Sequence, residues 1–300
     1  INFEFILIFF ISLIFQIIFI NKGLQIGKYF NVLDLPTKGK IHSKITPLIG
    51  SFSVVMAGFL YLIYFNFNYD ENFVLNIIFA TAFVFFVIGY YDDRFNFNAY
   101  LKLFISTFII IVVLVLQDEL TINVLYIESI DRHFYLEKIP SILFSTLCIL
   151  LLINALNLCD GINGLASGFV AFWILLLSLF SVHQKDFLLF LSLYILINTF
   201  FIIKGKFFLG DSGTLFLGCL VSLVTIVNYN HNYIIGNLIS IEKIFIFFMI
   251  PGIDMFRLFL ERIRKKKDPF TRDLEHLHHM LFNIFKLNKT LIIYLVFFVT

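Results

Sequence analysis

The feature that most constrains this chain is a series of ten apolar runs separated by short polar segments. Several runs approach the roughly 20 residues that a helix needs to cross a bilayer. Because hydrocarbon offers backbone groups no hydrogen-bond partner, such runs are expected to be helical. We therefore predict an all-α, polytopic integral membrane protein of about ten transmembrane helices. The runs lie at about residues 4–20, 46–65, 73–91, 103–116, 139–157, 163–182, 187–203, 213–229, 241–260 and 290–300.

Composition supports the same fold class. Of the 300 residues, 60% are hydrophobic and only 14% are charged, which is typical of multi-span membrane proteins and leaves no room for a soluble domain. Nothing in the sequence indicates a nucleic-acid partner. The chain begins at Ile1 without Met and stops at Thr300 inside an apolar run. We expect a single membrane domain, 1–300, that is truncated at both ends.

The distribution of basic residues predicts the orientation. Lys and Arg are concentrated in one set of alternating loops, which by the positive-inside rule faces the cytoplasm. This places the amino terminus outside and four polar motifs, described next, on the cytoplasmic side. The other set of loops holds only Arg132, Lys138, Lys185 and Lys243 of the 22 Lys and Arg residues.

The first motif is a pair of carboxylates, Asp92 and Asp93, where the third run ends. Adjacent carboxylates repel each other unless a cation or hydrogen-bond donors hold them. Acids at a helix carboxyl terminus also oppose the helix dipole, so simple capping is a weak explanation. We therefore favour a functional site. Lys102 opens the next run, where it is either part of that site or a lysine that snorkels to the interface.

The second motif places Asn154, Asn157 and Asp160 on one helical face, followed by the helix breakers Gly161 and Gly164. Carboxylate and amide oxygens suit a hard divalent ion such as Mg2+. The turn before the next run would expose backbone N–H groups, which bind anions. This combination favours a metal and a phosphate over simple bonding between helices.

The third motif, Gly210-Asp211-Ser212-Gly213, opens the eighth run. Asp211 could be an N-cap and nothing more. A cap would not explain why this acid falls on the same predicted side as the other motifs, and we therefore interpret Asp211 as a site residue.

The fourth motif, His276-Leu277-His278-His279, lies in the last polar segment beside a basic run. No cysteine accompanies it, and it does not show the i, i+4 pair of helical zinc sites. Contact with phosphates or with a leaving group is the better interpretation. Two further features stay open: Asp254 and Arg257 have the spacing of a structural ion pair, and His42 is either loop structure or a substrate contact.

Taken together, the motifs resemble those of the polyprenyl-phosphate N-acetylhexosamine-1-phosphate transferases. The match covers about 34–280. The His-Leu-His-His form resembles the branch that transfers GlcNAc-1-phosphate to undecaprenyl phosphate. The motifs follow in the family's order: Asp34-Leu35-Pro36, Lys40-Ile41-His42, Asp92-Asp93 with Asn96, Asn154 with Asn157 and Asp160-Gly161, Gly210-Asp211 with Gly213, and His276-Leu277-His278-His279.

The resemblance implies a cytoplasmic groove in which a lipid phosphate attacks a UDP-sugar and releases UMP. Asp211 and Asn157 would hold Mg2+, with Mn2+ as the alternative ion. Asp92 would deprotonate or orient the lipid phosphate, and Asp93 would help to shape that site. Lys102 would stabilise phosphate charge.

The remaining assignments also come from the resemblance. His278 and His279 join the catalytic group. Asn163 stands where most bacterial members have Asp, and its amide can pair with a uracil edge. Arg272 is a candidate replacement for an arginine that usually stands nearer the histidines, at Leu274. Further substrate contacts are assigned to Asn154, Asp160 and His276.

The expected function is transfer of GlcNAc-1-phosphate from a UDP-sugar to undecaprenyl phosphate in a bacterial inner membrane, as the first lipid-linked step of a cell-surface polysaccharide such as O-antigen. The alternative is a sibling enzyme that uses another UDP-N-acetylhexosamine or phospho-MurNAc-pentapeptide. A transporter is disfavoured because the charges lie at the ends of spans and not at the midplane. Expected partners are the two substrates and the bilayer, with a homodimer as a candidate assembly.

Overall fold

The computed structural model describes residues 3–36, 44–68, 73–181, 184–235, 239–266 and 268. In that part of the chain, nine α-helices account for most of the structure. They are α1 (Phe3–Phe30), α2 (Gly50–Asn68), α3 (Phe73–Phe95), α4 (Ala99–Leu116), α5 (Lys138–Cys159), α6 (Leu165–Phe180), α7 (Lys185–Ile203), α8 (Gly210–Ile234) and α9 (Ile241–Arg264). The strands are β1 (Leu33–Asp34), β2 (Thr46–Pro47), β3 (Val124–Ile127) and β4 (Arg132–Tyr135).

The helices confirm the predicted all-α class and the polytopic membrane character. Within the described ranges, seven helices are long and apolar enough to cross a membrane: α1 to α5, α7 and α8. Helix α6 is a shorter apolar helix of 16 residues. Helix α9 contains several charged residues and falls outside that group of seven. The predicted tenth run, 290–300, lies outside the described residues, and a total of ten crossings stays a prediction.

Helix ends differ most from the sequence estimates. Helix α1 continues to Phe30, well past the predicted end near residue 20, and Gly27 in this extension lets it pass close to Pro47 of β2. Helix α3 continues to Phe95 and therefore includes the two carboxylates in its last turns. The segment at 46–47, expected to be helical, is instead strand β2. Polarity alone marks where the apolar stretch of the sequence stops. The helix ends where its backbone hydrogen bonds stop, which is a different residue.

The chain forms two compact units, and the prediction of a single domain stays a prediction. The first unit comprises Ile1–Phe97 and Ala166–Leu217. Its core is aromatic, with Tyr61 and Phe190 packed together at a ring-centroid distance of 5.0 Å. Much of α1 exposes large apolar side chains, as expected for a helix that faces lipid.

A buried polar chain crosses the apolar interior of the first unit. The Tyr194 hydroxyl donates to Gln16 Oε1 at 2.8 Å, and Gln16 Nε2 donates to Asn198 Oδ1 at 2.9 Å. Asn198 Nδ2 then donates to the carbonyl of Gly50, where α2 begins, at 2.8 Å. Gln16 and Asn198 are 1% and 0% exposed, so every amide atom here depends on a protein partner. The chain thereby joins α1 and α7 to the start of α2.

Short stretches of extended backbone continue this connection. Strand β1 pairs with β2 in antiparallel register, with Leu33 opposite Pro47. The Phe208 N–H donates to the Pro47 carbonyl, and the Gly50 N–H donates to the Phe208 carbonyl, both at 2.9 Å. The segment that leads into α8 is therefore fixed to the segment that leads into α2.

The second unit comprises Asn98–Leu165 and the chain from Gly218 onward. Helix α5 packs against α4 and α9, and Gly218 of α8 leaves room for the backbone of Ile153 in α5. Strands β3 and β4 form a hairpin that the Tyr229 hydroxyl holds by donating to the Val124 carbonyl at 3.0 Å. Beside the hairpin, a hydrogen bond from Lys243 lowers the pKa of the Glu128 carboxyl below its usual value.

Candidate active site

The best-defined part of the candidate site lies in the first unit, where the end of α3 meets the start of α8. Asp93 Oδ1 accepts the backbone N–H of Asp211 at 2.8 Å, and Asp93 Oδ2 accepts that of Ser212 at 3.0 Å. Two of the four predicted motifs, separated by more than 100 residues in the chain, are thus in direct contact. The structure brings Asp93 and Asp211 together, as a shared site requires.

Two glycines make this contact possible. A β-carbon at Gly89 in α3 would overlap the carbonyl oxygen of Asp211 and the Cα of Ser212. Gly210 has φ +74°, and a β-carbon there would lie 2.8 Å from Asp93 Oδ2. Any other residue at these positions would push the two backbones apart or strain the turn. The close approach of α3 and α8 therefore depends on glycine at both positions.

Asp92 is the more buried of the two adjacent carboxylates, with 2% of its surface exposed. Its Oδ1 accepts the backbone N–H of Phe97 at 2.7 Å, and its carbonyl accepts the N–H of Asn96 at 2.9 Å. Asn96 has φ 51°, the left-handed conformation that commonly ends a helix. Asp92 thus organises the turn after α3.

Asp211 is half-buried in the first turn of α8. The neighbouring Ser212 hydroxyl lies 2.9 Å from the Ser51 hydroxyl in α2, which fixes the same turn from another helix. Two carboxylates side by side, Asp93 and Asp211, make this region attractive for a cation. The donor chemistry fits Mg2+, which typically takes one or two protein carboxylates together with substrate phosphates.

The described residues contain no cluster of three or more His, Cys, Asp and Glu side chains that could hold a metal. Asp93 directs both oxygens to backbone N–H groups of α8, and Asp211, whose backbone it holds, is the predicted metal ligand of the first unit. Such an ion would complete its shell with phosphate oxygens and water. The second predicted ligand, Asn157, belongs to the second unit.

The second unit carries the Asn154 motif at the end of α5. Asn154 Nδ2 donates to the Leu150 carbonyl one turn earlier, at 2.7 Å. Helix α5 ends at Cys159 with Asp160 as its C-cap, and Gly164 adopts φ 89° just before α6 begins. The predicted break between two helices at Gly161 and Gly164 is confirmed. Asn154, Asn157, Asp160 and Asn163 are all half-buried.

Other predicted residues of the second unit lie on α4 and α9. Lys102 is half-buried in the first turn of α4, where its N–H donates to the Asn98 carbonyl. Asp254 and Arg257 form the predicted ion pair, with Arg257 Nη2 2.9 Å from Asp254 Oδ1. Arg257 also approaches Glu261 at 3.4 Å. The predicted pairing is confirmed, and its purely structural role stays a prediction.

The sequence motifs do not include three residues that support the site from within the apolar core: Gln16, Asn198 and Ser51. A signal was available, because polar amides in the middle of an apolar run are expensive and call for a partner. Several predictions lie outside the described residues. These are Arg272, His276, His278 and His279, together with Lys40 and His42.

The fold and these motifs define a membrane-embedded enzyme. The chain belongs to glycosyl transferase family 4, whose family model matches residues 75–229, slightly more than half of the chain. This confirms the prediction that the protein is an enzyme of the polyprenyl-phosphate N-acetylhexosamine-1-phosphate transferase family.

Curated relatives align over most of the chain. A protein of Bacillus subtilis strain 168, called a probable undecaprenyl-phosphate N-acetylglucosaminyl 1-phosphate transferase, is 27% identical over 97% of this chain and 81% of its own length. The undecaprenyl-phosphate alpha-N-acetylglucosaminyl 1-phosphate transferase of Yersinia pestis is 26% identical over 93% of this chain and 76% of its own. The enzyme of that name from Escherichia coli K12 is 27% identical over 89% and 74%.

Proposed function

We propose that this protein transfers GlcNAc-1-phosphate from UDP-GlcNAc to undecaprenyl phosphate at the cytoplasmic face of a bacterial inner membrane. The products are UMP and undecaprenyl-diphosphate-GlcNAc, the first lipid-linked intermediate of a cell-surface polysaccharide. The names of the curated relatives support the acceptor lipid and the sugar. The single structural observation that carries the proposal is the contact of Asp93 with the start of α8, which assembles carboxylates from two motifs at the end of a membrane span.

In the proposed reaction, an oxygen of the lipid phosphate attacks the phosphorus that bears the sugar. The bond between that phosphorus and the oxygen that joins the two phosphorus atoms of the donor breaks. UMP leaves with the electron pair. Asp92 lies in the last turns of α3, where a lipid headgroup would arrive, and there it orients the attacking phosphate and takes its proton if one is present. Lys102 stabilises phosphate charge. The work is mainly positioning and electrostatics.

The carboxylate of Asp211 suits a divalent ion such as Mg2+ or Mn2+. The resemblance to the family names Asn157 as a second ligand of that ion, which would neutralise charge on the diphosphate when bound. Asn154, Asp160 and Asn163 would contact the nucleotide sugar, and the chain's histidines at 276, 278 and 279 together with Arg272 would contact phosphate. Asp93 contacts the backbone of α8 beside Asp211.

The sugar is tested by incubating membranes that contain the protein with undecaprenyl phosphate and a panel of labelled donors. The panel includes UDP-GlcNAc, UDP-GalNAc, a 6-deoxy UDP-N-acetylhexosamine and UDP-MurNAc-pentapeptide. The proposal expects UDP-GlcNAc to give the highest kcat/KM for formation of labelled lipid. A higher kcat/KM for another donor would show that the sugar is not GlcNAc, while the type of reaction would stand. No lipid product with any donor would count against the function itself.

A further inference from the structure

The backbone N–H groups at the start of α8 find their hydrogen-bond acceptor in an unusual place. The first N–H groups of a helix have no acceptor within the helix and are commonly capped by a polar side chain just before it. Here the preceding residue is Leu209, which is 1% exposed and offers no side-chain acceptor. The cap comes instead from another helix, because Asp93 of α3 accepts the N–H groups of Asp211 and Ser212 at 2.8 and 3.0 Å.

The geometry around this cap restricts what Asp93 can do. One oxygen bonds each N–H, and the close approach at Gly89 and Gly210 holds the carboxylate against the α8 backbone. A negative charge at a helix amino terminus is also favoured by the helix dipole. A lipid phosphate that contacted Asp93 would have to compete with charge-assisted hydrogen bonds at both oxygens. Asp92, one residue earlier, accepts the backbone N–H of Phe97 in the turn after α3.

We infer that Asp93 is a positioning residue, which acts through Asp211 and not on the substrate. By capping the first turn of α8, it fixes the backbone of Asp211, so that the Asp211 carboxylate is held ready for a divalent ion and the diphosphate. The Ser212–Ser51 contact at 2.9 Å steadies the same turn. This inference rests on the proposed function and divides the adjacent acids Asp92 and Asp93 into a reacting group and a structural clamp.

The test measures metal binding without turnover. Purified protein is titrated with Mn2+ in the presence of UDP-GlcNAc and without lipid phosphate, and free Mn2+ is followed by electron paramagnetic resonance. Asp93→Asn keeps the shape but replaces one acceptor with a donor, and we expect the dissociation constant for Mn2+ to rise about tenfold. Gly210→Ala crowds the same carboxylate without changing it, and we expect a shift in the same direction. Asp118→Asn, at an exposed ion pair with Lys138, is the matched control and should bind Mn2+ as the parent does.

Turnover at saturating Mn2+ separates a positioning residue from a reacting one. We expect Asp93→Asn to recover to within about tenfold of the parent, because the lost function is chiefly metal affinity. Normal Mn2+ affinity in Asp93→Asn with turnover lost at every Mn2+ concentration would overturn the inference and make Asp93 a reacting group. If Asp93→Asn does not fold, Gly210→Ala decides: an unchanged Mn2+ affinity there refutes the clamp. An inactive parent would count against the proposed function, whereas an active parent with unshifted variants counts against the inference alone.

Discussion

Two polar regions of this protein are built in different ways. At the end of α3 in the first unit, Asp93 bonds backbone N–H groups of residues 118 and 119 positions away. At the end of α5 in the second unit, Asn154 bonds the carbonyl of Leu150, four residues away in its own helix. The first region is held by hydrogen bonds between helices and by glycines that let the helices approach closely, whereas the Asn154 bond of the second region lies within one helix.

The difference indicates how each region should respond to substitution. A region fixed by long-range contacts should lose both shape and chemistry when its supports are changed. A polar side chain that bonds to its own helix, as Asn154 does, should be removable without loss of the fold. Only its contribution to substrate binding should then be lost. The predictions below test this distinction.

The largest effect is expected from the two carboxylates proposed to contact substrate or metal. Asp92→Asn and Asp211→Asn should each lower turnover by about 10³-fold, as removal of a key electrostatic group commonly does. Their binding behaviour should differ. Asp92→Asn should keep UDP-GlcNAc and Mg2+ binding, whereas Asp211→Asn should weaken metal-dependent nucleotide binding. Calorimetry of UDP-GlcNAc with and without Mg2+ measures both, and equal loss of nucleotide affinity in the two variants would refute this division.

A glycine substitution tests the close approach of α3 and α8. Gly89→Ala should destabilise the protein by about 1–3 kcal/mol, because the new methyl group overlaps the α8 backbone at Asp211 and Ser212. Gly252→Ala is the matched control, since a β-carbon there would meet no atom within 4 Å and alanine favours a helix. Thermal unfolding in detergent compares the two. Equal stability of Gly89→Ala and the parent would show that the helices are not in contact here.

The buried polar chain of the first unit should also be sensitive. Asn198→Leu removes the acceptor of Gln16 Nε2 and the donor to the Gly50 carbonyl, and should cost about 2 kcal/mol. Asn66→Leu, which breaks an exposed amide pair with Asn76, should cost much less. The double variant Gln16→Leu/Asn198→Leu should be less destabilised than the sum of the single variants, because the two residues share a bond. Strict additivity in thermal unfolding would argue against the chain.

The smallest effect on stability is expected in the second unit. Asn154→Ala should leave unfolding within about 0.5 kcal/mol of the parent, because alanine compensates for a bond that lies within one helix. The KM for UDP-GlcNAc should nevertheless rise if Asn154 contacts the donor. A large fall in melting temperature would show that this region, too, depends on distant contacts.

Much of this architecture follows from the sequence. Apolar runs predicted nine helices of the described residues, and glycines predicted the turn between α5 and α6. The ends of helices were less accurate, because Phe30 and Phe95 lie beyond the apolar stretch while the backbone continues to hydrogen bond. Charge and hydropathy report the membrane boundary and carry little information on helix capping.

Long-range partners of polar residues could not be predicted, whereas the local pair of Asp254 and Arg257 could. Asp93 and Asp211 were both identified, but nothing local indicates that one carboxylate caps the helix of the other, since the pairing arises only when α3 and α8 pack. Gln16 and Asn198 were visible as amides in apolar runs, yet their bond joins residues 182 positions apart. Residue type indicated the chemistry, and tertiary structure determined which atoms are paired.

The most direct test of the proposed reaction follows the phosphate. UDP-GlcNAc labelled with 32P at the phosphorus that bears the sugar is incubated with undecaprenyl phosphate and the purified protein, with Asp211→Asn as the inactive control. Transfer of sugar-1-phosphate predicts that the label enters the lipid and that unlabelled UMP is released in equal amount. Release of labelled UDP, with GlcNAc but no 32P on the lipid, would contradict the account, because it would mean that the bond broken is the one between the sugar and its phosphate.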